Sequence, residues 1–300
     1  MKPAYQKRHP PAGARPGTLM IPPDSPQPVI TIMEFTPETL AERTIADANE
    51  LTSIHGSDHC FWVDIQGLGN ESLLRQVAEI FSLHLLTLED LANVPARPKM
   101  EVHDTYQQFV TRMVRVSDDG VDLIVEQVCV IWGSNFVLTI QEKSGDVLDP
   151  IRSRLRTGKG RPIRSNGADY VAYAIIDCII DGFFPVLDQY SDWIGSLEEA
   201  CISDPVPATL EEINQMRREL MILRRAIWPQ CDAIKRLAQE DSPFVGDAVR
   251  IFLRDTCNHA IQVADVVDSF RELATGLLST YLSTTGNRTN EIMKVLTIMA

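Results

Sequence analysis

After Pro243 the chain runs to its end without another proline, and only Gly246, Gly276 and Gly286 interrupt the stretch. Nothing there breaks an α-helix. A helix of roughly 55 residues at ~1.5 Å each extends about 80 Å, longer than a domain is wide, so it must project. Asp255, Asn258, His259, Gln262, Asp265, Ser269, Glu272, Gly276, Ser279 or Thr280, Ser283, Asn287 and Asn290 recur three or four apart and share one face. This oxygen-rich stripe contains no base. It suits helices gathered around a water-filled axis, and equally an ordinary amphipathic helix on a domain. The opposite stripe, Phe252, Val263, Val266, Phe270, Leu273 and Leu277, is expected to face neighbours. The chain ends Val295-Leu-Thr-Ile-Met-Ala300 with no polar stop, as if a further apolar helix began there; the plainer reading is an end that packs into a core.

Upstream, β-branched and aromatic residues cluster at Val29–Phe35, Cys60–Ile65, Tyr106–Val116, Ile124–Ile131 and Phe136–Gln141, which predicts five strands. A helix is predicted between the first two, capped by Thr36 with Pro37 at its first position. A second is predicted after Asn70, with Leu73, Leu74, Val77, Ile80 and Phe81 on one face. The last three strands are joined by short turns, Asp118-Asp119-Gly120 and Gly133-Ser134-Asn135. The expectation is an α/β/α sandwich with a mixed sheet, parallel early and antiparallel late, over residues 29–165.

Eight of the 18 prolines fall in the first 28 residues, so 1–28 reads as a mobile tail. Its bases Lys2, Lys7, Arg8 and Arg15 precede no apolar stretch, unlike a secretory signal. Arg152, Arg154, Arg156, Lys159, Arg161 and Arg164 form a basic connector, read as a solvated linker and helix end or as a phosphate or acidic-lipid contact.

Residues 166–242 read as an acidic helical hairpin. Ile176, Ile179, Phe183, Leu187, Tyr190, Ile194 and Leu197 keep a helical period. Asp204-Pro205-Val206-Pro207 breaks the chain. Thr209 with Glu212 forms a capping box for a second helix striped by Leu210, Ile213, Met216, Leu220, Leu223 and Ile227, with a kink expected at Pro229. Residues 243–300 form the long projecting helix. Between Ser165 and Met216 stand ten Asp or Glu and no Lys or Arg, a concentration that needs solvent or outside cations.

The net charge of -13 argues against nucleic acid as the main ligand, because polyanions are held by basic faces. The six cysteines are scattered, without a Cys-x-x-Cys pair, which fits a reducing compartment and disfavours a zinc ribbon. No run of 18 or more uncharged apolar residues is present. No Walker loop, Gly-x-Gly-x-x-Gly, nucleophile elbow or His-Glu-x-x-His appears, so enzyme readings lack a partnered nucleophile or base. Glu89-Asp90 sits in an apolar stretch, where adjacent carboxylates repel unless a cation is near. A hard ion such as Mg2+ needs only one or two carboxylates; the plainer reading is a helix-start pair favoured by the dipole. Asp177 and Asp181, one turn apart among apolar residues, are ligands or merely solvated. His55 and His59 are separated by Gly56-Ser57, which disfavours a shared helical face for zinc.

Thr87-Leu-Glu-Asp-Leu-Ala-Asn93 with Arg97-Pro-Lys99, Gln141-Glu-Lys-Ser-Gly-Asp146, Arg225-Ala-Ile-Trp-Pro229 and Ser283-Thr-Thr-Gly-Asn-Arg-Thr-Asn-Glu-Ile-Met-Lys-Val-Leu-Thr297 together resemble the CorA family of magnesium and cobalt transport proteins, over residues 30 to 300. The family's Gly-Met-Asn signature and both membrane helices are absent, so the resemblance implies the cytoplasmic part of an inner-membrane transporter. It further implies a funnel-shaped homopentamer whose long helix leads into the first transmembrane helix. Regulatory Mg2+ would sit between subunits on Asp90 of one chain and Asp255 of the next. Glu89, Asp177 and His259 match positions around a second, adjacent site, and Asn258 stands where relatives often carry an acid. Met293 and Leu296 match the apolar constriction of the pore, with Asn290 just below it. Mg2+, with Co2+ beside it, would be both regulator and cargo. A zinc or other divalent-metal transporter on the same scaffold, and a soluble acidic scaffold protein, are the alternatives.

Overall fold

The computed structural model describes residues 10–117, 120, 122–158 and 162–299. Lys2, Lys7 and Arg8 of the tail, Asp118 and Asp119 of the turn, Lys159 and Arg161 of the connector, and Ala300 lie outside the described residues. Seven strands form one sheet: β1 Val29–Phe35, β2 Leu40–Ile45, β3 Cys60–Gln66, β4 Lys99–Val102, β5 Gln107–Val116, β6 Leu123–Trp132 and β7 Phe136–Gln141. Their spatial order is β2-β1-β3-β7-β6-β5-β4. Only β3 and β7 pair in parallel; the other pairs are antiparallel. The sheet is mixed as expected, but its early half is not parallel.

That difference has a local cause. In place of the helix expected after Thr36, the chain makes a tight turn and returns as edge strand β2. Thr36 Oγ1 accepts from the Thr39 N–H at 3.0 Å, the same bond a helix cap makes to its third residue, and Thr36 N donates to Thr39 O. Pro37 suits the second position of such a turn as well as it suits a first helical turn. The helical content between β1 and β3 is a 3-10 segment, Ala48–Ile54.

Both faces of the sheet are covered, and side chains alternate between them with a period of two. Ile30, Ile32, Phe61, Val63, Ile65, Ile131 and Leu138 pack with the 3-10 segment, α1 (Glu71–Ile80) and α2 (Leu85–Ala92). Met33, Phe35, Trp62, Val128, Val130, Trp132 and Val137 pack on the other face, against α3 (Asp149–Thr157) and four later helices. A short α4, Pro162–Ser165, leads into α5 Gly167–Asp181, α6 Phe183–Ser203, α7 Pro207–Gln239 and α8 Asp247–Met299. Sheet and helices share one continuous core on this side. Trp132 Nε1 ties them together, donating to Phe244 O at 2.8 Å.

Gly167–Ser203 is long and apolar enough to cross a bilayer by composition, but it is largely buried: Ile175, Ile176, Ile179, Ile180 and Phe183 lie against the sheet and α8. The expected helical stripe there is buried throughout, with Gly182 dividing α5 from α6. The second hairpin helix begins two residues before the expected Thr209 cap, with Pro207 in its first turn, and passes through Pro229 without interruption. α6 and α7 are antiparallel and joined by Tyr190 Oη, which donates to Glu219 Oε2. α8 runs antiparallel to α7 (Arg224 to Asp268, Cys231 to Ala260) and along α6 (Cys201 to Leu277).

The long helix is continuous over 53 residues. Its buried stripe is Val249, Leu253, Thr256, Ala260, Val263, Val267, Ala274, Leu277 and Tyr281, rotated from the expected one: Phe252 and Leu273 are exposed. Beyond Tyr281 no described residue of α8 is buried. Arg288 still holds it to the end of α6, through Asp204 Oδ1 at 2.7 Å and Ser203 O.

Two expectations about solvated segments are corrected. Residues 11–16 are exposed, but from Gly17 the tail lies against α1 and α2 instead of standing free: Gly17 N–H donates to Glu89 Oε1, Met20 N–H to Asn93 Oδ1, and Asn93 Nδ2 to Thr18 O. A Cβ on Gly67, whose φ is +112°, would come within 2.7 Å of the Pro26 and Gln27 carbonyls, so this crossing requires glycine. In the basic connector, the Arg152 side chain is only 13% exposed. It bonds Asp64 Oδ2 at 2.7 Å and both oxygens of Asp146, and lies 5.4 Å over the Trp62 ring. Burial alone would raise the Asp146 carboxyl; Arg152 and Gln141 outweigh it and hold it below the usual range. Arg156 pairs with Glu42, and Arg164 donates to Leu155 O.

Candidate metal site

The acids and the histidine singled out in the helical region converge where α5 crosses α8. Asp177 and Asp181 are one turn apart on α5, and Asp255, Thr256 and His259 occupy one turn of α8. Packing of Ile176 and Ile179 into the shared core sets this register and leaves Asp177 and Asp181 at the seam. Thr256 Oγ1 donates to Asp177 Oδ1 at 2.6 Å. His259 Nδ1 lies 3.0 Å from Asp181 Oδ1, and its Nε2 3.8 Å from Asp255 Oδ2. Donation to Asp181 assigns the proton to Nδ1. One ligand atom from each of Asp177, Asp181 and His259 fits within a 4.8 Å span. Phe184 packs edge-on to the imidazole at 6.1 Å.

Three carboxylates thus face one imidazole. Asp255 is the most open, with its side chain 73% exposed. Burial pushes the Asp177 carboxyl up; the Thr256 hydroxyl works against this, and the charge of Asp181 adds to it. A seam with surplus negative charge and several oxygen donors suits a hard divalent cation that keeps part of its water shell. The imidazole adds a donor that later transition metals favour. Asp181 belongs to this group as closely as Asp177 does; the signal for it was the spacing of four that pairs the two.

Glu89 and Asp90 lie elsewhere. They stand in the last turn of α2, not at a helix start. Glu89 accepts from Gly17 N–H at 2.8 Å. Asp90 Oδ2 is paired with Lys99 Nζ at 2.6 Å and receives a longer bond, 3.4 Å, from Gln108 Nε2. Gln127 Nε2 donates to the Asp90 carbonyl. Burial raises the Asp90 carboxyl despite Lys99. On Lys99 itself burial works the other way, but Asp90 and Glu101 outweigh it and raise the ammonium. Because α2 covers one face of the sheet and α8 the other, the sheet stands between Asp90 and Asp255 within one chain. Glu89 is likewise apart from Asp177 and His259.

Asn290, Met293 and Leu296, three apart, share a side of the exposed end of α8, where Ile292, Val295, Ile298 and Met299 are also exposed. His55 and His59 do not converge: His55 Nε2 bonds Ile80 O, and His59 Nδ1 pairs with Glu34.

Comparison with known proteins follows the same outline. The family described as CorA-like Mg2+ transporter protein matches residues 57–300. The cobalt/magnesium transport protein CorA of Thermotoga maritima is 37% identical over 271 residues, covering 90% of this chain and 77% of that protein. The complete CorA magnesium transporter of Methanocaldococcus jannaschii superposes with a TM-score of 0.75 at 18% identity, over 90% of this chain and 82% of that one. The ZntB cytoplasmic domain of Vibrio parahaemolyticus superposes with a TM-score of 0.64 at 17% identity, over 87% of this chain and 99% of that one. The two structural likenesses establish a shared fold. By sequence, the chain belongs to the CorA-like Mg2+ transporter family.

Proposed function

We propose that this chain is the cytoplasmic regulatory part of an inner-membrane transporter that admits Mg2+, and Co2+ with it, and that it gauges intracellular Mg2+ at contacts between copies. The observation that carries this reading is the separation of Asp90 from Asp255. One chain cannot bring them to one ion, whereas a neighbouring copy presenting its α2 to this α8 can. In a ring of five such copies, the oxygen-rich stripe of α8 lines the axis and its exposed apolar end leads into the membrane. Met293 and Leu296 close the passage, with Asn290 below them. Plentiful Mg2+ bridges Asp90 and Asp255, relieves carboxylate repulsion across the contact and favours the closed ring by mass action. When Mg2+ falls, the acids repel, the copies tilt and the passage widens. Asp177, Asp181 and His259, with Asp255 at their edge, hold a second ion beside the first.

The double variant Asp90→Asn with Asp255→Asn tests this. The parent gains thermal stability from millimolar-range Mg2+ and the variant gains less; an equal gain in both refutes the assignment. A zinc-transporting variant of the same scheme draws on one observation, the imidazole of His259 in the donor set. Protection by Zn2+ at concentrations where Mg2+ gives none would favour it.

A further inference from the structure

β4 carries Lys99 and Glu101 two residues apart, on the same face of the strand. Lys99 reaches α2, and the carboxylates of Asp90 and Glu101 converge on its ammonium. Nζ lies 2.6 Å from Asp90 Oδ2 and 2.9 Å from Glu101 Oε1. Asp90 is the more enclosed of the two acids, with 18% of its side chain exposed against 39% for Glu101. The cation that neutralises Asp90 is therefore part of the chain, at an oxygen the regulatory ion would need.

Resting on the reading above, we propose that Lys99 is a tethered competitor of the divalent cation for Asp90, and that Glu101 is where its ammonium rests when the ion takes its place. The two cations cannot share Oδ2. A metal ion binds a carboxylate oxygen at about 2.1 Å, and an ammonium alongside would meet it at unscreened range. The exchange costs little because the lysine stem is flexible and Glu101 already holds one of its protons. No new unpaired charge is created: before exchange Lys99 serves both acids, and after it the ion serves Asp90 and Lys99 serves Glu101. The concentration of Mg2+ at which the contact closes is then set by the competition, which raises it into a range where an intracellular gauge is useful.

The test is a titration of the unfolding midpoint with MgCl2 at constant ionic strength, on the full chain. Lys99→Met lowers the half-saturating Mg2+ concentration by about tenfold, the worth of one charge-assisted hydrogen bond. Lys99→Arg keeps the competitor and stays near the parent. Glu101→Gln removes the resting place and raises the half-saturating concentration. In an Asp90→Asn background, Lys99→Met and Glu101→Gln produce no further shift, which separates local exchange from a general change of surface charge. Lys99→Gln repeats the first arm should Lys99→Met fold poorly. If the parent responds to Mg2+, Asp90→Asn weakens that response and Lys99→Met leaves the midpoint within twofold, the competition is wrong and the Asp90 site survives. If Asp90→Asn responds like the parent, the site itself is wrong and the competition falls with it.

Discussion

Two groups of carboxylates in this molecule differ in how they are neutralised. Asp64 and Asp146, under the sheet, are buried and clasp one arginine, with Thr139 and Gln141 filling their remaining positions. Asp177, Asp181 and Asp255, at the seam of α5 and α8, are more exposed and have one imidazole among them. The first group is complete within the chain and is architecture. The second leaves negative charge over, and a group left short of cations is where an outside ion has work to do. Residue type does not separate the two; the tally of partners does.

Four variants probe that contrast. Arg152→Met strips the buried group of its cation and leaves two carboxylates in a closed site, so it should cost on the order of 3–5 kcal/mol, and Mg2+ should not restore it. Chemical denaturation with and without Mg2+ checks both points. Glu126 is a buried acid of a third kind: its Oε1 accepts from Lys143 N–H, but Oε2 is buried without a partner, and burial pushes its carboxyl up to about 7. A carboxyl raised in the folded state favours folding when protonated. Stability is therefore highest below the ordinary value near 4.5, falls as pH rises to about 7 and is level above that. Glu126→Gln should gain roughly 3 kcal/mol at pH 8 and nothing near pH 4.5, since each unit is worth about 1.4 kcal/mol. Denaturation curves at the two pH values give the difference.

The effects at the seam are smaller and of opposite sign. Asp177→Asn with Asp181→Asn relieves repulsion, so the metal-free protein should gain about 0.5–1 kcal/mol while its Mg2+-dependent rise in melting temperature shrinks. A loss of stability without metal would place these acids with Asp64 and Asp146. Smallest of all is Arg224→Ala. It removes a pairing with Asp268 between partly exposed side chains and should cost under about 1 kcal/mol, less at high salt.

The strands were readable wherever apolar runs fill both faces of the sheet: Val29–Phe35 and Phe136–Gln141 match residue for residue. β2 was misread because a threonine hydroxyl makes the same bond in a turn as in a helix cap. α2 escaped because eight residues are too few to show a period, and its cap is His84, whose Nδ1 accepts from Leu86 N–H. At the candidate site, Asp177 was paired with Asp181 by spacing, Asp177 and His259 were grouped by resemblance, and all three lie together. Glu89 was grouped with them by resemblance, as part of a site between copies; within one chain it lies on the other face of the sheet. No local pattern could show this, because which turn of α8 meets which turn of α5 is decided by packing far from either in sequence. The tail contact at Glu89 and the lysine at Asp90 are equally non-local.

The account rests on one ion held by acids from two copies. The most direct test mixes chains carrying only Asp90→Asn with chains carrying only Asp255→Asn. Each alone should respond to Mg2+ less than the parent does. After unfolding and reassembly together, roughly a quarter of the contacts regain both acids, and that share of the Mg2+-dependent stabilisation should return. If each single variant loses the same part of the response and the mixture regains none of it, the acids do not meet across copies and the gauge is not built from this pair.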